Sequence, residues 1–433
     1  MTENYRAGIV TCAKEDRISN LPEHLIDSIL ERVPLEEAVR TSILSKNWRY
    51  RWTTMKELVF DQQFSKKFAK NGAFGHNGFI RIVNKVLFFH KGPILKFHVH
   101  VPNMFLDNFE EVDQWVLFLS RNGVNELLLN NSNRRSELPS YLFCCLELTK
   151  LELHKCCFKP PLEFEGFLNL EKLRLEDIDF GARLCGTKFN LPQLKKLSLL
   201  KCTNVYNFNI KATRLQELIV YACHDAMLLR LLDSPCLLLV SIAFEKPIED
   251  FVRVEEMNLA TMLSNLSKVE YFYINSYFLK FLIAEKIPKL LPGAISSLKH
   301  LWLLDIQLGD LNQLHAVLCF LRNSPNLEKL FVRHFDMDPR VDVGPASDHL
   351  ESPNCLDSTL DQLKIVEMTC LKGSKPELLF IKLLLAHSPS LQKFTIKPSR
   401  ASDVQKRYDI AKEVMQFPRA STKAKMFFFD PEP

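Results

Sequence analysis

The chain has 433 residues, of which 47% are hydrophobic and 25% are charged, which excludes a disordered chain and allows two or three domains or one elongated repeat structure. Its 56 basic and 51 acidic residues leave a net charge of +5, too small to indicate nucleic-acid binding by itself. No apolar run reaches the roughly 18 residues of a membrane helix, and the start MTENYRAGIV lacks the basic-then-apolar pattern of a signal peptide.

A small helical unit is predicted from Asp16 to Trp52, after a flexible lead over residues 1–15. Asn20 and Glu23 form a capping-box-like pair at the start of the first helix. Pro22 lies in the first turn of this helix, where its missing N–H costs nothing. Apolar residues at helical spacing then form one stripe, made of Leu21, Leu25, Ile26, Ile29 and Leu30.

Two further helices are predicted in the same unit. The pair Val33-Pro34 ends the first helix, because proline disfavours helical structure at the residue before it. The second helix is expected to present one apolar face, made of Ala38, Val39, Ile43 and Leu44. The third helix is expected to be anchored by Trp48 and Trp52. About 40 residues bury too little surface to be stable alone, so the first stripe should meet the rest of the chain or a partner.

This unit reads DRISNLPEHLIDSIL from Asp16, followed by VPLEEAVRTSILSKNWR from Val33. The run resembles the F-box of plant F-box proteins without a gap, with Val33 where the family often has leucine. The resemblance implies docking onto the Skp-type linker subunit of a cullin ubiquitin ligase. It assigns linker contacts to Leu21, Pro22, Leu25, Ile29 and Leu30.

The next stretch is predicted to be a linker followed by helices. Residues 61–78 are polar and contain three glycines, which is typical of a linker. Residues 79–90 and 107–120 carry apolar side chains at helical spacing and are predicted to be helices.

From residue 94 onward the pattern apolar-x-x-apolar-x-apolar recurs, for example at Leu148, Leu151 and Leu153. The middle copies start 21 to 24 residues apart, which is the period of leucine-rich repeats. Spacings of about 30 residues elsewhere predict repeats with more helix. One repeat cannot bury its leucines alone, so stacked repeats are expected to form a curved solenoid. The copies begin at Ile94, Val124, Leu148, Leu170, Leu194, Leu215, Leu237, Val269, Leu298, Leu327, Leu363 and Leu391.

The side chains between the apolar positions of each strand should point away from the core. In the early repeats these side chains are mainly charged, and in the later ones they are mainly aromatic. Aromatic residues and arginine dominate the energetics of interfaces, so this face is predicted to be a docking site for a target protein or a small ligand. The predicted target-binding residues are Tyr221, Tyr273, Trp302, Phe331 and Arg333. Two alternatives are that the C-terminal domain or return loops cover these residues, or that the register is misplaced, above all near Val269.

Residues 336–358 contain prolines and acids with almost no large apolar residue, and are predicted to be a surface loop and domain boundary. A helix over 376–387 and a second helix capped by Ser402 and Gln405 are expected beyond it. The second helix carries an apolar face of Val404, Tyr408, Ala411 and Met415. The sequence SPSLQKFTI and the run from Phe417 to Ser421 resemble the FBD domain that ends plant F-box/leucine-rich-repeat proteins.

No motif for catalysis is evident, since Walker, GxGxxG, GxSxG and HExxH sequences are all absent. Cys144, Cys145, His154, Cys156 and Cys157 do not have zinc-ligand spacing, and no metal or cofactor is expected. The repeat phase instead places three cysteines under the turn after each strand, namely Cys156, Cys202 and Cys223.

Residues 397–425 contain eight Lys or Arg residues and three Asp or Glu residues. A solvated helix face explains this charge better than a nucleic-acid site, which should be denser and flanked by stacking aromatics.

We therefore predict an α/β solenoid: a three-helix F-box, a curved leucine-rich-repeat array and an FBD-type α+β segment. The predicted boundaries are 1–15 for the lead, 16–56 for the F-box, 57–93 for the linker and helix, 94–335 for the repeats, 336–358 for the loop and 359–428 for the FBD domain.

The resemblance implies a non-catalytic substrate adaptor of an SCF-type ubiquitin ligase, with a Skp-type linker and a target protein as partners. Neither nucleic acid nor membrane is expected, and 12 cysteines without a signal peptide indicate reduced thiols in the nucleus or cytoplasm. The alternatives are a repeat-based binding or inhibitor protein independent of ubiquitin, and a small-molecule-gated receptor that would need a basic pocket.

Overall fold

The structure is a computed structural model that describes residues 21–69, 72–103, 110–181, 188–205, 209–223, 234–246, 266–283, 295–335, 342–353 and 355–430. The chain divides into two compact units, the first ending at Asn133 and the second beginning at Arg134. The predicted flexible lead and the predicted cap at Asn20 lie outside the described residues.

The first unit begins with two short helices, α1 (Glu23–Leu30) and α2 (Leu35–Arg40). Pro22 and Pro34 immediately precede them, with φ of −55° and −54°. This is the φ that the pyrrolidine ring imposes, so each proline directs the chain into the helix without losing a needed N–H donor.

The predicted third helix is not confirmed, because residues Thr41–Ile43 and Arg51–Thr54 form short 3-10 segments instead. The hydroxyls of Thr53 and Thr54 donate hydrogen bonds to carbonyls three residues earlier, at 2.6 and 2.9 Å. Such local bonds compete with regular α-helix. Trp48 is nevertheless buried, as is the tryptophan at position 52, so both still anchor the unit.

Three more helices follow in the first unit: α3 (Gln62–Ala69), α4 (Gly72–Phe89) and α5 (Glu110–Arg121). The predicted linker over 61–78 is therefore wrong, because α3 and the start of α4 occupy it. The Asp61 side chain caps α3 by accepting from the Phe64 N–H at 2.9 Å. Phe64 and Phe68 then pack against Phe79 of α4, with ring centroids 6.0 and 5.9 Å away.

The helices predicted over 79–90 and 107–120 are confirmed in their described residues as the later part of α4 and as α5. Residues 107–109 lie outside the described residues. The Trp115 indole donates to Asn84 Oδ1 at 2.6 Å, which ties the two helices together.

These helices accompany a parallel sheet in the order β1 (Glu57–Phe60), β2 (Lys96–Val101) and β3 (Glu126–Asn131). Strand β1 was not predicted. Its signal is the alternation of Leu58 and Phe60, both 0% exposed.

The second unit is built on a longer parallel sheet whose neighbouring strands follow chain order. Its strands are β5 (Lys150–His154), β7 (Lys172–Glu176), β9 (Lys196–Leu200), β11 (Glu217–Tyr221), β12 (Leu239–Ala243), β13 (Tyr271–Asn275), β14 (His300–Ile306), β15 (Lys329–His334), β16 (Ile365–Leu371), β17 (Lys393–Pro398) and β18 (Lys425–Phe428). Four short strands form two separate two-stranded parallel sheets. In one, β4 (Ser136–Glu137) pairs with β6 (Cys156–Cys157), and in the other, β8 (Lys188–Asn190) pairs with β10 (Asn209–Lys211).

The repeat phase is confirmed across both units. Every predicted repeat start, from Ile94 to Leu391, lies two residues before the first residue of a strand and is at most 1% exposed. The register at Val269 also holds, because β13 begins at Tyr271 and pairs in register with β14. The two later apolar positions of each copy lie within the strand and face the core, which gives alternating buried and partly exposed residues.

A left-handed turn follows several strands of the second unit. The residues directly after β5, β7, β9 and β11 have φ of 60°, 54°, 53° and 55°. These residues are Lys155, Asp177, Lys201 and Ala222. Each donates its N–H to the carbonyl that ends the next strand, at 2.8 Å. The turn drives the following side chain into the core, which explains why Cys156, Cys202 and Cys223 are at most 3% exposed.

Helices connect the later strands, as the wider repeat spacing predicts. They are α6 (Ser276–Ile283), α7 (Leu311–Arg322), α8 (Gly344–Glu351), α9 (Lys375–His387) and α10 (Val404–Met415). A repeat of about 22 residues has no room for a helix beside its strand and turns, whereas one of about 30 does.

The predicted loop over 336–358 is wrong in part, because α8 forms within it; residues 336–341 and 354 lie outside the described residues. Pro345 occupies the first turn of α8, where its missing N–H is harmless. Ala346 and Leu350, four positions apart, are buried and give this short helix its apolar side.

The helix predicted over 376–387 is confirmed as α9, and Glu377 in its first turn is 0% exposed. The Glu377 carboxylate accepts from the Ser374 N–H at 2.8 Å and from the Lys372 N–H at 3.1 Å. His334 at the end of β15 lies 2.9 Å from the same carboxylate. Burial alone raises the pKa of Glu377, but the histidine and the two N–H donors outweigh it and leave the pKa lowered.

The predicted cap and face of the last helix need correction. Asp403, not Ser402, caps α10, accepting from the Lys406 N–H at 2.7 Å. The buried side of α10 consists of Ile410 and Val414, which were not assigned to its apolar face. The predicted apolar face is largely exposed, with Val404 at 79%, Tyr408 at 62% and Met415 at 55%.

Candidate protein-binding surfaces

Helix α1 divides its apolar residues between two sides. Ile26 and Leu30 are each 1% exposed, whereas Leu25 and Ile29 are each 42% exposed. Both pairs have i, i+4 spacing, so each pair forms its own stripe along the helix. We call the exposed pair of Leu25 and Ile29 the α1 surface.

The other predicted linker contacts have different environments. Leu21 is half-buried and Pro22 is exposed at the start of α1. Leu30 lies in the core of the first unit, where its side chain supports α1 from beneath. The sequence could not separate these positions, because all of them have helical spacing.

Two exposed apolar side chains were predicted only as part of a helix face. Ile43 is 87% exposed and Leu44 is 55% exposed, whereas Ala38 of the same predicted face is fully buried. Large apolar side chains with this exposure are candidates for a protein interface. Their signal in the sequence is weak, because helical periodicity alone groups them with the core.

Ion pairs hold the segments around α1. Arg51 of the second 3-10 segment pairs with Glu23 in the first turn of α1 and donates to the Asn47 carbonyl at 3.3 Å. The hydrogen bond from Arg51 and its charge lower the pKa of the Glu23 carboxyl. The pair joins the start of α1 to the chain after it while leaving Leu25 and Ile29 open.

In the second unit, three predicted target-binding residues come together on adjacent strands. Tyr273 of β13 pairs in register with Trp302 of β14, which pairs with Phe331 of β15. The Tyr273 and Trp302 rings are stacked with centroids 4.1 Å apart and an interplanar angle of 14°. We call these three half-buried side chains the aromatic row.

A histidine extends the aromatic row along β14. The His300 ring lies 5.3 Å from the Trp302 ring and 4.7 Å from the Tyr271 ring. Burial and the charge of Lys329 lower the pKa of His300, so the ring is neutral near pH 7. Burial raises the pKa of Tyr273, which also stays neutral. The aromatic row and the neighbouring His300 therefore present uncharged rings. His300 was not among the binding residues predicted from the sequence.

The two remaining predicted residues lie apart from the row. Arg333 binds Asp305 through two contacts, Nε to Oδ1 at 2.9 Å and Nη2 to Oδ2 at 3.0 Å, at the end of β15. Tyr221 is 42% exposed on β11, with β12 between it and β13. The structure thus brings Tyr273, Trp302 and Phe331 together and leaves Tyr221 at a distance.

The C-terminal segment extends the sheet beside the row. Glu367 of β16 pairs in register with Phe331, and Thr395 of β17 follows it. Within the described residues, these later strands therefore lie next to the row in the same sheet. This placement disfavours the alternative in which the C-terminal strands fold over the row.

The charged residues of the early repeats are paired with each other. Lys150 lies 2.8 Å from Glu152 on β5, and Arg174 lies 2.7 Å from Glu176 on β7. Lys196 of β9 reaches a carboxylate of β11 at 2.6 Å. The charges therefore compensate one another, which gives no support to a basic pocket for a phosphorylated ligand.

Six of the ten cysteines in the described residues are buried, whereas Cys144, Cys236 and Cys370 are exposed. Burial raises the pKa of Cys145 and Cys156 to about 12, which opposes the thiolate form that binds metal. Among the described residues, no group of three or more His, Cys, Asp or Glu side chains is arranged to hold a metal ion. Nor does the described part of the chain contain a helix long and apolar enough to cross a membrane.

Consecutive parallel strands at the leucine-rich-repeat period, preceded in the chain by a helical unit with exposed apolar side chains, define a leucine-rich-repeat protein with an N-terminal helical domain. Family models agree: the F-box domain matches residues 18–60 and the FBD matches residues 349–396. The model described as "FBD-associated F-box protein At5g56370, LRR repeats" matches residues 112–332.

Individual relatives extend the match to nearly the whole chain. F-box/FBD/LRR-repeat protein At1g13570 of Arabidopsis thaliana is 32% identical over 416 residues, which covers 95% of this chain and 98% of the relative. Probable FBD-associated F-box protein At1g32375 of Arabidopsis thaliana is 24% identical over 451 residues, covering 95% and 100%. This chain belongs to the plant F-box/FBD/LRR-repeat family.

Proposed function

We propose that this protein is the substrate-recognition adaptor of an SCF-type cullin ubiquitin ligase. In this proposal the α1 surface binds a Skp-type linker protein, and through it the cullin, while the aromatic row binds a target protein. The F-box and leucine-rich-repeat matches support an adaptor of this class.

The exposed pair Leu25 and Ile29 carries the linker part of the proposal. These two side chains are 42% exposed although the residues beside them, Ile26 and Leu30, are sealed in the core. A short helix that leaves one stripe open offers a partner an apolar contact without disturbing its own fold. Leu21 and Pro22 extend the proposed contact at the start of α1, and Leu30 contributes from beneath.

The aromatic row carries the target part of the proposal. Three uncharged rings at one register position form a continuous apolar strip on the strand face of the repeats. Large aromatic side chains that remain half-exposed are the type that contributes most to protein interfaces. Arg333 and Tyr221 are proposed as more peripheral contacts.

The proposed mechanism is geometric and needs no catalytic step from this chain. An adaptor that holds a target and the ligase together raises the local concentration of the target lysine at the ubiquitin carrier. F-box/LRR proteins are in general non-catalytic adaptors of this kind. The proposed location of the protein is the nucleus or cytoplasm, where cysteines are kept in the free thiol form, as the described cysteines are.

Reconstitution tests the linker assignment. The full chain is co-expressed with a Skp-type linker protein and a cullin, and the three should elute together on size exclusion. A chain that stays folded and monomeric beside the linker would contradict the proposal. If such a chain still captured a target, the ubiquitin-independent binding protein would be the better assignment.

A second experiment tests the target surface. The wild-type chain and Trp302→Ala are purified from plant cells with and without a proteasome inhibitor. Proteins enriched with the wild-type chain only under inhibition, and lost with Trp302→Ala, are the expected targets. Recovery of the same proteins with both chains would contradict target binding by the aromatic row.

A further inference from the structure

Helix α10 is attached to the second unit by only part of its surface. Ile410 and Val414 are 4% and 0% exposed and form its buried side. The helix contacts α9. Arg407 and Ala411 are half-buried, and Arg407 also donates to the Ser402 carbonyl at 2.9 Å. The other described side chains of α10 are exposed to solvent.

A second apolar stripe runs along the open part of α10. It consists of Val404, Tyr408, Ala411 and Met415, which we call the α10 stripe. The spacing of four, three and four residues places them on one face of a helix. Val404 is 79% exposed, Tyr408 is 62% exposed and Met415 is 55% exposed. Such a contiguous row of large apolar side chains is unusual on a surface that nothing covers.

Cations border this stripe. Lys412 is exposed and lies four residues after Tyr408 and three before Met415, so it neighbours both. The Arg419 guanidinium is 3.4 Å from the Met415 sulfur. The end of the stripe is therefore flanked by two positive charges.

Two of the three carboxylates on or before α10 make local hydrogen bonds. Asp409 accepts a hydrogen bond from the Gln405 amide at 3.0 Å, and Asp403 caps the start of the helix. The third, Glu413, is five residues from Tyr408 and two from Met415, so it is not an i, i+3 or i, i+4 neighbour of either. Across residues 397–425, eight Lys or Arg residues outnumber three Asp or Glu residues. The surroundings of the stripe are thus positive, although the chain as a whole is nearly balanced.

We infer that the α10 stripe binds an acidic amphipathic segment of a partner protein. Apolar side chains of that segment cover Val404, Tyr408 and Met415, and its carboxylates meet Lys412 and Arg419. A helix with alternating leucine and glutamate rows has this chemistry, since an amphipathic helix docks its apolar side and flanks it with charge.

The charges disfavour two other occupants. A second copy of this chain in a two-fold contact would bring together two stripes that are both bordered by Lys412 and Arg419, and such like-charged borders disfavour the contact. Nucleic acid would engage the cations but not Val404 or Met415, and Tyr408 is the single ring of the stripe. An acidic amphipathic segment would contact both the cations and the apolar side chains of the stripe. The α10 stripe shares no residue with the aromatic row or the α1 surface, so the inference does not depend on the proposed function.

The test uses the full chain and a synthetic amphipathic helical peptide about five turns long, with leucine on one side and glutamate flanking it. Binding is measured by fluorescence anisotropy at low and high salt, and the affinity should fall with salt. Tyr408→Ala with Met415→Ala should weaken binding about tenfold, since two large apolar contacts are lost. Both residues are exposed and alanine favours helix, so the chain should stay folded by circular dichroism.

Charge variants supply the matched control. Lys412→Glu should weaken binding about threefold or more, whereas Lys406→Glu makes the same change on α10 away from the stripe and should have little effect. A second peptide with lysine in place of glutamate should bind Lys412→Glu better than it binds the wild-type chain.

Four results would overturn the inference. They are no binding of the acidic peptide, equal losses with Lys406→Glu and Lys412→Glu, tighter binding of a single-stranded oligonucleotide than of the peptide, and a wild-type dimer in sedimentation that Tyr408→Ala with Met415→Ala dissociates.

Discussion

Replacing Leu25 and Ile29 together by alanine removes the α1 surface while leaving the core residues beneath it intact. Full burial of such a side chain contributes about 1.5–3 kcal/mol. Each residue is already largely covered in the free chain and has 42% left to bury, so a partner gains about 0.6–1.3 kcal/mol from each. The double variant should therefore bind the linker about tenfold to seventyfold more weakly, at about 1.4 kcal/mol per factor of ten.

Isothermal titration of the full chain with purified Skp-type linker measures this change. Leu162→Ala with Leu168→Ala is the matched control, because these leucines are 91% and 55% exposed in the second unit. The control should bind the linker like the wild-type chain. Both double variants should stay folded by circular dichroism, and the α1 variant should melt at a lower temperature because part of each of its side chains is covered in the free chain. Equal linker affinity in the α1 variant and the wild type would refute the reasoning, since the exposed stripe would then contribute nothing to docking.

Three further predictions concern the second unit. Trp302→Ala should leave the chain folded with some loss of stability, because Trp302 is half-buried and stacks on Tyr273. Leu301→Ala, next to it on β14 but 0% exposed, should cost about 2–5 kcal/mol in denaturant unfolding. Gly166 has φ of +131°, and a Cβ there would clash with the Asn190 backbone oxygen, so Gly166→Ala should greatly lower the melting temperature. Gly181→Ala, at φ +58° with nothing within 4 Å, should lower it less. The lowered pKa of buried Glu377 adds stability that is present above its unfolded pKa and is lost as pH falls through the folded value. Glu377→Gln should therefore reduce stability at neutral pH and flatten its acid dependence in pH-dependent calorimetry; an unchanged acid slope would contradict this.

Helical spacing predicted the apolar stripes of α1 and α10 but not which of their residues are exposed. In α1, Leu25, Ile29 and Leu30 share the same periodicity, yet only the first two remain open. In α10 the most regular apolar row is exposed, and Ile410 and Val414 hold the helix instead. Periodicity detects that a stripe exists, but the neighbouring elements decide which stripe they cover. The F-box resemblance supplied what periodicity lacked, by assigning a partner to the N-terminal stripe.

The direction of the side chains on the repeat strands was predicted more accurately than the direction of those on the helices. A strand has two sides, so placing one leucine of the repeat in the core fixes the direction of every other side chain. This is why Tyr273, Trp302 and Phe331 were identified from sequence. Their stacking, the neutral His300 beside them and the Arg333–Asp305 pair depend on the pairing of adjacent strands, which the sequence of one strand does not contain.

By itself, the amino-acid order determined the repeat period, the start of each strand, the buried cysteines after the turns and the F-box and FBD resemblances. Those features are local, since each depends on residues within one repeat or one short motif. The tertiary structure decided the helices within residues 61–78 and 344–351, the 3-10 segments in the F-box and the open sides of α1 and α10. These features depend on aromatic contacts, caps and burial between segments far apart in the chain, and burial is a property of the folded neighbours rather than of the residue.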